Sequence, residues 1–307
     1  MRHVGYRLIV PGLISAALIF MALWQATGQA SPTAVQDPRV RISHGPPVSP
    51  KEFNGDLSKL PPPGPIEKRV FRRPLEPNVT AKQPLPGTTE SAPAPLALVA
   101  PNIPAPSQSF KGLDYNTWGA GFPPDTVGDV GPNHYIQAVN ISIGIFSKTG
   151  TQLAAFTFDT LWASAGTGTV CDANNQGDPT VVYDPLADRW FVADFAFTGN
   201  GTTPPFYECI AVSKTSDPVS GGWYLYAIRT DDGAHPWLAD YPKMGIWPDG
   251  LYMSANMFDS TDTFREVRAW AFNRSDLESG VTLRQVIVDL GSASYFTLLP
   301  SNLRGTA

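Results

Sequence analysis

Residues 177–193 read Gly177-Asp178-Pro179-Thr180-Val181-Val182-Tyr183-Asp184-Pro185-Leu186-Ala187-Asp188-Arg189-Trp190-Phe191-Val192-Ala193. Two runs rich in β-branched and aromatic residues flank a cluster with turn chemistry, so the stretch reads strand–turn–strand. The same grammar stands on either side of it. Upstream, Pro124-Asp125-Thr126-Val127 leads through Gly131-Pro132-Asn133 to His134-Tyr135-Ile136-Gln137-Ala138. Downstream, Asp240-Tyr241-Pro242-Lys243 leads through Pro248-Asp249-Gly250 to Leu251-Tyr252-Met253-Ser254-Ala255. Each copy adds a third run, through Ser147-Lys148-Thr149, Ser213-Lys214-Thr215 or Asn273-Arg274-Ser275, and then a fourth. The leading Asp125, Asp178 and Asp240 are 53 and then 62 residues apart.

Four strand-like runs in a repeat of about 40–50 residues or slightly more describe a β-propeller blade. The expected fold is therefore all-β, a partial β-propeller with blades at about 122–160, 175–230 and 238–290. No stretch keeps helical periodicity over three turns. A four-stranded blade buries both faces only against neighbours, and propellers close with about four to eight of them. Three copies thus predict a truncated propeller with an exposed apolar flank.

The composition divides the chain. Eighteen of the 31 prolines fall between residues 31 and 109, and seven of the eight tryptophans fall after 110. Residues 31–109, with Pro61-Pro62-Pro63-Gly64-Pro65, read as a disordered Pro-rich linker. The repeat domain spans 110–307. It carries 11 Lys and Arg against 21 Asp and Glu, which argues against nucleic acid as a partner. At the N-terminus, Arg2, His3 and Arg7 precede an apolar stretch from Leu8 to Trp24 and the small-residue pattern Ala26-Thr27-Gly28-Gln29-Ala30. Residues 1–30 read as an export signal, and an uncleaved membrane anchor is the alternative. The expected location is extracellular or at the cell surface, with membrane contact only through that segment. In an exported chain Cys171 and Cys209 suggest a disulfide across a loop of about 40 residues, worth ~3–4 kcal/mol; two buried thiols are the alternative.

The repeated Asp125, Asp178 and Asp240 are candidate channel residues. First strands line a propeller's axis, so the three carboxylates would either converge and hold a cation such as Ca²⁺, or cap turns. Asp172, Asn174 and Asp178 resemble the opening of a calcium loop, but Tyr183 stands where the bidentate Glu belongs; a polar loop is the alternative. No other cofactor is indicated. Trp118, Trp237 and Trp247, with Trp162 and Trp223, are candidates for stacking on a sugar, whereas Trp190 and Trp270 lie in strands and read as core. Only His134 and His235 fall in the repeats, which argues against a histidine-rich metal site or a His-based triad.

Val182 to Trp190 resembles the strand–turn–strand segment of kelch-type blades, without their Gly-Gly doublet, and the Asp-box of sialidases is missing. The runs Pro123 to Gln137, Gly177-Asp178-Pro179 with Leu186 to Trp190, and Asp240 to Lys243 with Trp247-Pro248-Asp249-Gly250 resemble segments of large exported bacterial proteins, mostly uncharacterised. That resemblance covers about residues 110–307 and implies a region running past Ala307, but no activity. Three functions stay open: a non-enzymatic module binding an extracellular glycan or protein, a polysaccharide hydrolase or lyase using channel carboxylates, and a structural or adhesive module.

Overall fold

Each of the three copies folds as one antiparallel sheet. The computed structural model describes residues 37–70 and 104–304, so the expected export signal and residues 71–103 of the linker lie outside the described residues. In chain order the elements begin with β1 (Arg41–His44), β2 (Lys51–Phe53), β3 (Arg69–Val70), α1 (Tyr115–Trp118) and β4 (Gly121–Phe122). The first copy supplies β5 (Val127–Val130), β6 (His134–Val139), β7 (Ser142–Ser147) and β8 (Gln152–Thr157), followed by α2 (Phe158–Ala165). The second supplies β9 (Asn175–Asp184), β10 (Arg189–Ala196), β11 (Tyr207–Ser213) and β12 (Trp223–Arg229). The third supplies β13 (Leu238–Trp247), β14 (Gly250–Phe258), β15 (Phe264–Asn273), α3 (Arg274–Ser279) and β16 (Gln285–Asp289).

Sheet I has the order β5-β6-β7-β8, sheet II β2-β12-β11-β10-β9, and sheet III β1-β16-β15-β14-β13. The first strands of the copies neighbour one another, with β9 between β5 and β13. Tyr183 N donates to Asp129 Oδ2 at 2.7 Å across the first junction, and Thr180 Oγ1 to Pro242 O at 3.4 Å across the second.

Alternation along the strands explains the stacking. In sheet II, Val181, Tyr183, Trp190, Val192, Ala211 and Leu225 join a core shared with Ile136, Ile145 and Phe156 of sheet I. The intervening Val182, Phe191, Ile210, Val212, Tyr226 and Ile228 join a second core with Ile246, Met253 and Trp270 of sheet III. Successive strand residues point to opposite faces, so a sheet apolar at both parities needs a neighbour on each side. Trp162 and Trp223, candidates for sugar stacking, are instead buried in the first of these cores. Trp162 is there because α2, capped by Thr157 and ended by Gly166 at φ 64°, buries Phe158, Leu161 and Trp162 together.

Part of the expected linker is ordered. β1 pairs antiparallel with β16, placing Arg41 opposite Asp289, and β2 pairs with β12, placing Phe53 opposite Trp223. Leu57, 1 % exposed, packs into the first core, and its N–H donates to Val219 O at 2.8 Å. The physical reason is that β12 and β16 end their sheets with unpaired backbone groups, which an extended Pro-flanked segment satisfies. Hydrophobic periodicity misses such strands because most of their residues face solvent; β1 is exposed throughout.

The disulfide is present: Cys171 and Cys209 are bonded, with both residues fully buried. Beyond β16 the chain returns along sheet III. Ser254 Oγ donates to Leu298 O at 2.5 Å, Ile246 N to Asn302 Oδ1 at 3.1 Å, and Arg304 Nη1 reaches Asp129 Oδ2 of sheet I at 2.6 Å. An apolar surface remains there, with Trp247 46 % and Leu299 71 % exposed. No helix among the described residues is long and apolar enough to cross a membrane.

Candidate functional site

The first strand of each copy is entered through the same kink. Asp125, Asp178 and Tyr241 have φ of 44°, 54° and 54°, the left-handed region that non-glycine residues avoid. Each stands seven residues before the turn prolines Pro132, Pro185 and Pro248. The third copy is therefore offset by one from the sequence alignment: Tyr241, not Asp240, matches Asp125 and Asp178. In sheets II and III the kink is a bulge, between Gly177 and Thr180 opposite β10 and between Asp240 and Lys243 opposite β14. Strain repeated at three adjacent strand entries marks a functional candidate.

The kinks bring the acids together. The Asp125 and Asp178 carboxyls hydrogen-bond to each other, and both feel the negative charge of Asp240. Burial, and then Asp240 and Asp125, push Asp178 well above the usual carboxylate range; burial also raises Asp125. The hydrogen bond ties the ionisation of the two carboxyls together, so the proton it holds belongs to the pair. Lys243 is the cation of the cluster. Burial lowers its ammonium, and Asp178, Asp125, Glu208 and Asp240 raise it in opposition. Its Nζ donates to Pro242 O at 3.0 Å and lies 3.4 Å from the ring centroid of Tyr241, a residue 45 % exposed at the edge of the cluster.

Two further acids lie behind this layer. Glu208 is fully buried, both of its carboxylate oxygens lack a hydrogen-bond partner, and burial with the Asp178 charge pushes it up to about 8. Asp194 is also fully buried and raised by burial; it accepts from Gly177 N at 3.0 Å through Oδ1, while Oδ2 lacks a partner. Sequence reasoning missed Lys243, Tyr241, Glu208 and Asp194, although the pattern holds a signal for the two acids. Glu208 shares parity with Ile210 and Val212, which face sheet III. Asp194 shares parity with Trp190 and Val192, which face sheet I. A carboxyl at a core parity is an anomaly of the kind that marks function.

The other sequence candidates lie elsewhere. Asp172 is committed to its own loop, accepting from Thr167 N, Thr167 Oγ1 and Gly168 N, while Asp178 meets Asp125. Asn174 makes backbone bonds, accepting from Phe197 N at 3.1 Å through its carbonyl. The calcium-loop trio therefore does not form one ligand set. Trp118 ends α1 and packs beside Leu113 and Phe146; Trp237 packs edge-on to His235 at 4.8 Å. Trp247 ends β13, six residues past Tyr241 and roughly 20 Å along the strand from it. Of the named tryptophans, none joins the carboxylate cluster.

Comparison with known proteins adds no relative: no family model, no curated protein and no solved structure matches this chain.

Proposed function

We propose that this protein is an exported β-propeller-like module that binds an extracellular glycan of neutral or amino sugars at the carboxylate cluster, without catalysis. The observation that carries this reading is the convergence of Asp125, Asp178, Asp240 and Lys243 from three sheets beside the exposed ring of Tyr241. Carboxylates accept from sugar hydroxyl pairs, an ammonium donates to them, and an aromatic face packs on the apolar side of a pyranose. Negative charge in excess over the one lysine disfavours uronates and other acidic sugars. The sheet order, with β5, β9 and β13 side by side, supports the propeller reading. The disulfide is compatible with an oxidising, extracellular compartment.

A hydrolytic reading has one observation in its favour, the hydrogen bond between the Asp125 and Asp178 carboxyls. As a glycosidase pair they are too close: retaining enzymes separate their carboxyls by about 5–5.5 Å and inverting enzymes by more. Binding is tested by calorimetry of the purified chain against a panel of neutral, amino and acidic oligosaccharides. Saturable binding to a neutral or amino sugar, lost in Asp125→Asn and Lys243→Met and weakened in Tyr241→Gly, supports the proposal. Tyr241→Gly retains the left-handed backbone, so its loss isolates the ring. Binding confined to acidic sugars, or none to the whole panel, overturns it. Release of reducing ends that disappears in Asp178→Asn would instead establish the hydrolase.

A further inference from the structure

The loop between sheets II and III carries a second cluster that the sugar-binding reading does not use. Asp232 and His235 close a tight turn in which each N–H donates to the other's carbonyl, at 3.1 and 3.2 Å. Asp232 Oδ1 also accepts from the Ala234 and His235 amides, both at 2.8 Å. The turn aims the imidazole: Nδ1 lies 3.0 Å from Asp232 Oδ1, and Nε2 lies 2.6 Å from Arg41 Nη2. A guanidinium only donates, so Nε2 carries the lone pair and Nδ1 the proton directed at Asp232. A carboxylate holding one ring nitrogen while the other points outward as a base is the arrangement that orients a metal-binding histidine.

The imidazole has neighbours besides Arg41. Donor atoms of His235, Glu266 and Asp289 all lie within 4.8 Å of one another. Glu266, 3 % exposed, uses Oε2 to accept from Gly291 N at 2.6 Å, while its buried Oε1 lacks any partner. Asp289 accepts from Arg268 Nε through Oδ1 at 2.6 Å, and its Oδ2 is 4.0 Å from Arg41 Nη2. Arg268 is buried and also bonds Thr230 O and Asp232 Oδ2, which makes it part of the frame. Arg41 differs: its side chain is 60 % exposed and it arrives from the N-terminal strand β1.

We propose that His235, Glu266 and Asp289 form a binding site for a divalent transition metal of the zinc class, with the Arg41 guanidinium standing where the ion would sit. The donor set, one imidazole nitrogen and two carboxylates, suits zinc and its neighbours, whereas calcium takes six to eight oxygens. Three carboxylates, of Asp232, Glu266 and Asp289, face two guanidiniums; moving Arg41 aside leaves two charges for a dication to balance. Three protein donors leave a fourth position open.

The test titrates the untagged, metal-stripped chain with Zn²⁺ by calorimetry and with Co²⁺ by visible absorption. The expected result is one saturable site per chain with a low-coordinate cobalt spectrum. His235→Gln and Glu266→Gln should each weaken binding at least tenfold with the near-ultraviolet circular dichroism retained. Arg41→Ala should tighten it at least tenfold, because the competing cation is gone. An ion-pair network with no metal role makes the opposite forecast for Arg41→Ala, lower thermal stability and no change in metal affinity. Absence of a site in both the wild type and Arg41→Ala overturns the proposal, as does binding that persists unchanged in His235→Gln.

Discussion

Two charge clusters in this protein lie at neighbouring strand ends and solve opposite problems. Around Asp178, four carboxyl groups, of Asp125, Asp178, Asp240 and Glu208, act on one lysine, and several are raised by burial. Around Asp289, guanidiniums meet carboxylates nearly one for one: Arg268 bridges Asp232 and Asp289, and Arg41 lies beside Asp289 and His235. In the first cluster burial favours the protonated form of several acids, whereas in the second guanidiniums offset most of the negative charge. Proton-balanced groups can exchange partners with a ligand at little cost, whereas removing a fixed partner strands a buried charge. The contrast teaches that acid content alone does not identify a site; what compensates the acids does.

The comparison can be broken most sharply at Arg268. Arg268→Met removes a guanidinium that is 1 % exposed and leaves Asp289 and Thr230 O without their donor. It should cost about 3–5 kcal/mol in chemical denaturation. A loss below about 1 kcal/mol would mean the second cluster is not held by fixed cations.

Glu208→Gln should move stability in the other direction. The folded carboxyl is raised to about 8, whereas an unfolded glutamate titrates near ~4.3. The folded state therefore binds the extra proton between those values, and stability falls as pH rises from about 4.3 to 8. The amide removes that dependence. The variant should gain on the order of a few kcal/mol relative to wild type at pH 8 and nothing at pH 4. Equal melting shifts at both pH values would contradict a buried, proton-bearing Glu208.

Lys243→Met takes away the one cation that the described residues bring to the first cluster. Burial of the ammonium outweighs its carboxylate partners, so the substitution should be less destabilising, or more stabilising, at pH 5 than at pH 8, because the carboxyls that offset the burial carry more protons at pH 5. A larger loss at pH 5 than at pH 8 would reverse the assignment. The smallest effect is expected at Lys214, whose ammonium meets the exposed Glu52 of β2 at 2.6 Å. Lys214→Met should leave the melting temperature without a resolvable change at high salt. A clear drop there would show that surface pairs matter here as much as the two clusters.

Much of this was legible in the chain itself. Turn prolines at Pro132, Pro185 and Pro248, and alternation in runs such as Trp190-Phe191-Val192-Ala193, determined three antiparallel four-stranded units, because turn chemistry and strand parity are local. The pairing of Cys171 with Cys209 followed from their being the only two cysteines. The repeat marked Asp125, Asp178 and Asp240 as candidates but left open whether they converge or cap turns. What only the tertiary structure decided depends on partners far apart in sequence. β1 and β2 became strands because sheet edges 242 to 248 and 170 to 174 residues downstream needed backbone donors and acceptors. Trp162 and Trp223 went inside because both faces of sheet II are covered. The one-residue offset that puts Tyr241 in the place of an Asp, the lysine that reaches the acids, and the meeting of Arg41 with His235 are matters of backbone kink and three-dimensional neighbourhood. Local sequence fixes which way a strand residue points, but burial and charge balance are properties of what the fold brings opposite it.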